Sequence, residues 1–184
     1  ANGPLSLTVG GQDMDGLIFG GDYMAALRTG RVPEHLRIFN DAAKESGKGE
    51  DIPRVAEIKI SLSKDGQAAR DFVKESSGSR ILNMYRRGYS HEDIQRLGVD
   101  LEDADQLNQA EKAGASAAEF DDLVTDDMVD AIFIAGTPGD CLERMIEVQD
   151  TAREQGFHQL MYSELGPDID EALGLLCDEI IPAL

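Results

Sequence analysis

Basic residues are scarce in this 184-residue chain: 17 Lys and Arg stand against 36 Asp and Glu, a formal net charge of −19 with three neutral histidines. A surface so negative repels phosphate backbones and anionic lipid, so neither nucleic acid nor a membrane is an expected partner. Long apolar runs are missing too. None approaches the roughly 20 residues that span a bilayer, and no basic segment followed by a greasy stretch opens the chain. A cytoplasmic protein is the expectation. Cysteine is limited to Cys141 and Cys177, neither with a Cys or His at ligand spacing, which argues against zinc and disulfides. Both fall at apolar positions of helical patterns and are expected in the core. His35, His91 and His158 are scattered without a shared motif, so no metal is expected. Repeats, low-complexity tracts and an initiator methionine are also absent.

Asp is abundant, Lys is scarcer than Arg, and the acidic residues are spread along the chain rather than gathered in a tail. An ordinary acidic protein would fit. Adaptation to a salt-rich cytoplasm fits better, because ionic strength screens the self-repulsion of such a surface.

At 41% hydrophobic residues the chain can bury one sizeable core. Its pattern alternates short apolar runs with helical stretches, the order of βα units. Leu17-Ile18-Phe19, set between glycines, reads as a strand buried on both faces. Val32, Leu36, Phe39 and Ala43 fall at helical spacing, with Pro33 in the first turn and a stop near Gly47. From Arg54 to Ser63, Ala56, Ile58, Ile60 and Leu62 alternate with Glu57, Lys59 and Ser61, a strand with one polar face. After the Lys64-Asp65-Gly66 turn, Ala68, Ala69, Phe72 and Val73 mark a helix. From about Ser76 to Asp127 no strand is visible. Ser90-His91-Glu92-Asp93 there resembles a capping box, and Gly88, Gly98 and Gly114 punctuate short helices. Asp130–Ala135 reads as an extended apolar run before a helix begun at Gly136-Thr137-Pro138. Leu160, Met161 and Tyr162 give a last strand. Asp168-x-x-Glu171 caps a final helix with a stripe of Ala172, Leu173, Leu176 and Ile180, ended by Pro182.

Three blocks are familiar together. The opening Ala1-Asn2-Gly3-Pro4 with Asp15-Gly16-Leu17-Ile18, the stretch Asp130-Ala131-Ile132-Phe133-Ile134-Ala135-Gly136-Thr137-Pro138, and the ending Gly166-Pro167-Asp168-Ile169-Asp170 through Ile180-Ile181-Pro182 resemble the luciferase-like monooxygenase superfamily. The branch they are most similar to is the coenzyme F420-dependent methylene-tetrahydromethanopterin reductases. The resemblance implies an α/β fold that is the C-terminal portion of a TIM-type (β/α)8 barrel, 1–184 as a single domain with a helical insertion at about 76–127. A complete barrel takes about 250 residues, and the resemblance implies that the first five strands precede Ala1.

The resemblance further implies an oxidoreductase that moves a hydride between the reduced deazaflavin and a pterin-bound one-carbon unit. The cofactor is then coenzyme F420, with FMN as the alternative of a monooxygenase. The substrate is a small-molecule pterin and the assembly a homo-oligomer. A non-catalytic half-barrel that binds or assembles is the alternative of another class. The family's acid/base groups come largely from the early strands, so no catalytic residue is carried over. The cofactor-phosphate loop is: it matches Ala1, Asn2 and Gly3. Glycine lets backbone N–H groups approach an anion, and the helix opened by Pro4 adds its positive end.

Other candidates weigh less. Gly10-Gly11 and Gly20-Gly21 lack the spacing of a dinucleotide fingerprint. Glu57, Lys59 and Ser61 share a strand face, where a Glu57–Lys59 pair inside the barrel is the plain expectation. Tyr162 and Glu164 end the last strand and could line a pocket. Arg86-Arg87 beside Tyr85 reads as a solvated helix end or a salt bridge.

Overall fold

A computed structural model describes residues 3–49 and 52–184. Its first elements are α1 (Pro4–Asp13), β1 (Leu17–Phe19), α2 (Tyr23–Arg28), α3 (Val32–Glu45) and β2 (Arg54–Leu62). There follow α4 (Gly66–Phe72), α5 (Lys74–Arg86), α6 (His91–Arg96), α7 (Leu101–Ala113), α8 (Ala117–Asp122) and α9 (Asp126–Ile132). The chain continues through β3 (Ile134–Gly136), α10 (Pro138–Glu154), β4 (Gln159–Ser163) and α11 (Ile169–Leu175), then a π-helical turn (Leu176–Ile180) and a 3-10 turn (Ile181–Ala183). This is an α/β fold with a parallel sheet. Contacts group it into two units, Ala1–Ile58 with Ile146–Ser163 and Lys59–Met145 with Glu164–Leu184.

In the first unit β1 lies parallel to the start of β2, with Leu17 opposite Arg54 and Phe19 opposite Ala56; β4 also pairs with β2. Leu17 and Phe19 are buried but Ile18 is 51% exposed. The run expected to be buried on both faces is buried on one, as the alternation of a strand allows when a single face is covered. α1 lies against α3 so closely that a Cβ on Gly11 would stand 2.3 Å from the Phe39 carbonyl oxygen and 2.9 Å from the Ala42 Cβ. The core is aromatic. Phe19, Tyr23 and Phe157 meet edge to face with centroids 5.1–6.1 Å apart, and His35 stacks on Phe19 at 5.5 Å. The Tyr23 hydroxyl donates to Gln155 Oε1 at 2.9 Å. Helix α2, which sets Tyr23 there, has no strong cap or long periodicity to announce it.

In the second unit the end of β2 runs parallel to β3, with Ile60 opposite Ile134 and Leu62 opposite Gly136. The extended reading of Asp130–Ala135 is half corrected: α9 runs on to Ile132, and only Ile134–Gly136 is strand. The Thr125 side chain accepts from the Met128 N–H, Asp126 and Asp127 suit the first turn, and Met128, Val129, Ala131 and Ile132 are all buried. A short apolar run does not by itself separate strand from buried helix. Helices α5 to α8 fill the stretch that carried no strand signal; the box expected at Ser90/Asp93 forms, and Ser116/Glu119 forms a second one. Gly114 ends α7 in the left-handed conformation at φ 79°.

Four side chains tie this unit together. Arg70 meets Asp130 Oδ1 and Oδ2 at 3.2 Å each and Asp126 Oδ1 at 3.0 Å. Arg144 donates to Asp130 Oδ1 at 2.7 Å and to the Asp130 carbonyl at 2.8 Å. Cys141 is buried as expected, but Cys177 is exposed, and so is Leu173 at 43%. The buried stripe is Ala172, Leu175, Leu176 and Ile180. At about 100° per residue, Leu173 and Cys177 fall on its outer side.

Candidate functional site

Parallel strands deliver ligand-binding groups at their carboxyl ends. In the second unit that end of β2 supplies Lys59 and Ser61 within the strand and Ser63 just beyond it. Lys59 is 4% exposed, because its neighbours in β2 are core residues. Its Nζ forms an ion pair with Glu164 Oε1 and lies 5.7 Å from the centre of the Phe133 ring. Arg80, on α5, brings its Nη2 to 3.6 Å from the same carboxylate oxygen. Two cations therefore converge on one carboxylate. A buried ammonium is costly without such a counter-charge.

Glu164 reaches that position from an uncommon backbone. Glu164 and Leu165 lie at φ 77° and 61°, a region that costs a non-glycine residue about 1–3 kcal/mol. The Leu62 N–H donates to the Leu165 carbonyl at 2.7 Å. Gly166, at φ 143°, is pressed so near β2 that a Cβ would stand 2.4 Å from the Leu62 carbonyl oxygen. These contacts over-determine the turn and hold the strained pair.

Around this cluster the polar groups are matched internally. The Ser61 hydroxyl donates to the Ala69 carbonyl at 2.6 Å. The Ser63 hydroxyl donates to Glu171 Oε2 at 2.8 Å, and the Lys64 N–H reaches the same oxygen at 3.2 Å. A surface hollow of about 260 Å³ beside them is lined by Lys64, Glu171 and further acidic side chains of the C-terminal helix. Thr137 and Asp140 cap α10 reciprocally, at 2.6 Å between Oγ1 and Oδ2.

Of the cofactor-loop residues expected from the sequence, Ala1 and Asn2 lie outside the described residues. Gly3 is the N-cap of α1, with ordinary extended dihedrals of −115° and 156°. Its N–H donates to Ser6 Oγ at 3.2 Å, and that hydroxyl donates back to the Gly3 carbonyl at 2.9 Å. The nearest atom to a Cβ placed on Gly3 is Ser6 Oγ at 3.9 Å, so the space beside this residue is open. The first turn of α1 holds no acidic residue, whereas α6, α7 and α9 each hold two there. α2 and α4 likewise hold none there; a helix N-terminus of this kind is one that could face an anionic group such as a cofactor phosphate.

The remaining candidates are dispersed. His158 Nδ1 accepts from the Arg54 N–H at 3.1 Å, His35 packs in the aromatic core, and His91 lies edge-on to Tyr85. Glu57 accepts from the Ser163 hydroxyl at 2.8 Å. Burial raises the Tyr162 phenol above its ordinary range. Arg86 pairs with Glu111, the salt bridge expected for that basic spot. Among the described residues no group of three or more His, Cys, Asp or Glu could hold a metal ion, and no helix is long and apolar enough to cross a membrane. Lys59 and Glu164, singled out separately in the sequence, are brought together; Arg80 was not foreseen, because nothing local distinguishes it from any helical arginine.

Residues 1–155 match the luciferase-like monooxygenase family. The chain belongs to that family. It is 27% identical over 183 residues to a 5,10-methylenetetrahydromethanopterin reductase of Methanopyrus kandleri, covering 99% of this chain and 48% of that protein. It is 26% identical to the protein of the same name from Methanolobus tindarius, over 98% of this chain and 52% of the relative. The chain thus spans about half the length of the curated relatives it matches. The solved coenzyme F420-dependent tetrahydromethanopterin reductase of Methanopyrus kandleri superposes with a TM-score of 0.72 at 27% identity, covering 99% of this chain and 49% of that one. An F420-dependent secondary alcohol dehydrogenase, 19% identical with a TM-score of 0.60 over 98% of this chain and 46% of that one, shares the fold.

Proposed function

We propose that this chain is the C-terminal portion of a coenzyme F420-dependent oxidoreductase that transfers a hydride between the reduced deazaflavin and methylene-tetrahydromethanopterin. The observation that carries the reading is the likeness, at a TM-score of 0.72 and over 99% of the chain, to a reductase described as F420-dependent. The fold would then be the later part of a TIM-type (β/α)8 barrel, with residues 76–127 a helical insertion into one domain. A homo-oligomer in a salt-rich cytoplasm is part of the same proposal.

Coenzyme F420, when bound, supplies the hydride chemistry. This chain's part is to hold and orient. Ala1, Asn2 and Gly3 would line the cofactor's phosphate, with the Gly3 N–H exchanging Ser6 Oγ for it, backed by the positive end of α1. The protein would exclude water and hold the two ring systems at reacting distance. No acid or base is assigned within these residues.

The test is spectroscopic. The intact gene product should bind coenzyme F420, and its reduced form should be oxidised when methylene-tetrahydromethanopterin is added, read from the deazaflavin absorbance. Binding of FMN in its place would move the protein to the monooxygenase side of the family. A well-folded protein that binds neither would refute the enzyme reading and favour a binding or assembly role.

A further inference from the structure

We propose that the outer face of the C-terminal helical stretch, from Ile169 to Ile181, docks an amphipathic helix of a separate protein whose apolar side is flanked by Lys and Arg. The inference concerns the second unit alone and holds whichever cofactor the protein uses.

Two features meet on this stretch. The first is an apolar stripe. Ile169, Leu173 and Ile181 are 59%, 43% and 52% exposed, and Cys177 between them is exposed too. They recur at every fourth residue, and a straight α-helix would carry such a row about 40° round its axis at each step. The π-helical turn Leu176–Ile180, which takes more residues to each turn, counters that drift. The core stripe of Ala172, Leu175, Leu176 and Ile180 is buried on the other side, so the outer row is no part of the core. Apolar side chains exposed in a continuous row mark a contact surface.

The second feature is a one-sided charge. No Lys or Arg follows Arg153 in the chain. Several exposed helical carboxylates elsewhere have a cation on their own helix, as in Arg37–Asp41, Arg96–Glu92 and Arg153–Asp150. Asp170, Asp178 and Glu179 have no ion pair or side-chain hydrogen bond among the described residues. Asp170 and Asp178 each stand one residue after a member of the stripe, so the acidic flank runs beside it. These three carboxylates line the hollow of about 260 Å³ together with Gly174, where a Cβ would meet nothing within 4 Å. The one cation at the hollow, Lys64, is already 3.8 Å from Glu171. Lys or Arg side chains on a partner helix would enter the hollow while their apolar neighbours cover the stripe, which is recognition of a helix by its amphipathic pattern. A second copy of this chain is a poor occupant, because it would bring the same carboxylates face to face.

The experiment uses two synthetic peptides of one amphipathic helical pattern, with Leu on one face and either Lys or Glu on the other. At about 0.15 M ionic strength, where long-range attraction to the acidic surface is screened, the Leu/Lys peptide should bind in fluorescence anisotropy and slow the reaction of Cys177 with a thiol reagent. Cys141 is 1% exposed, so the native reaction reports on the stripe. The Leu/Glu peptide should do neither. Asp170→Asn, Asp178→Asn and Glu179→Gln combined should weaken Leu/Lys binding roughly tenfold, the sum of three solvated contacts of modest strength. Glu143→Gln, Glu147→Gln and Glu154→Gln combined, on α10, should change it less than about twofold. Leu173→Ser should weaken it about fivefold through the lost apolar contact. All seven side chains are exposed, so these substitutions leave the fold in place. Equal weakening by the two acidic sets, an affinity indifferent to Leu173→Ser, or a Cys177 rate unchanged by the Leu/Lys peptide would overturn the proposal. So would a Cys177 already shielded without peptide, since the face would then be covered by its own polypeptide or by a second copy.

Discussion

Replacing Asp130 by Asn isolates the charge at the centre of the second unit while keeping the side chain's shape. Asp130 takes two contacts from Arg70 at 3.2 Å and one from Arg144 at 2.7 Å. A hydrogen bond to a charged group contributes about 1.5–3 kcal/mol when buried. The three are coupled rather than additive, and Asp130 is 35% exposed, so solvent screening takes a large discount. Both arginines also keep backbone partners, at the carbonyls of Asp126 and Asp130. A loss of roughly 2–3 kcal/mol is therefore expected, well below the sum of three isolated bonds.

The pH dependence makes that expectation specific. Burial pushes the Asp130 carboxyl upward, but the Arg70 hydrogen bond and the two guanidinium charges outweigh it and hold the group below the usual Asp range. A carboxyl depressed in the folded state stabilises fully above its unfolded value near ~3.9 and loses that contribution as pH falls through the folded value. Urea denaturation at neutral pH should show Asp130→Asn with a lower midpoint and an unchanged slope. The gap between the two proteins should close as the pH falls below the ordinary Asp range. A gap that persists undiminished in acid would refute the ionic account, and a gap under about 0.5 kcal/mol at neutral pH would show that the network contributes no more than a surface pair.

Gly11→Ala should destabilise by about 1–3 kcal/mol in the same assay, because the Phe39 carbonyl stands 2.3 Å from the new Cβ. Gly10→Ala, whose Cβ would meet only the Phe39 ring at 3.6 Å, should stabilise α1 by about 0.5–1 kcal/mol. His35 is lowered by burial, with Glu34 opposing and Arg31 adding to that shift; its stability contribution is therefore full above the unfolded value near ~6.5 and falls as pH drops below it. His35→Phe keeps the stack on Phe19 and removes an Nδ1 without a partner among the described residues, so it should flatten that part of the pH profile in thermal melts. Cys177 should react with a thiol reagent in the native protein while Cys141, 1% exposed and with its thiol pushed up to about 12, reacts only on unfolding. The melting temperature should rise between dilute buffer and molar KCl if the charge of −19 reflects salt adaptation; a flat response refutes that reading.

What the sequence disclosed depended on how local each cause is. The strand at β2, the cap at Asp168 and the box at Ser90 are set by local residues, and the structure follows them. Residues 130–132 went astray because their apolar run satisfies both a strand and a buried helix, and the deciding groups, Thr125 and Asp126, stand before it. Ile18, Leu173 and Cys177 were misplaced for a related reason: an apolar type fixes a preference for burial, while the face it occupies is set by what packs against the element. The site shows the same division. Lys59, on the polar face of β2, and Glu164, at the end of the last strand, were legible as separate candidates, yet 105 residues separate them and only the fold pairs them. Arg80 gave no local sign because its approach to Glu164 depends on the fold. The left-handed turn at Glu164 and Leu165 was equally hidden, since neither residue type asks for it. A conformation that the local sequence disfavours must be imposed from outside, here by Leu62 and Gly166, and such imposed strain collects where a protein does its work.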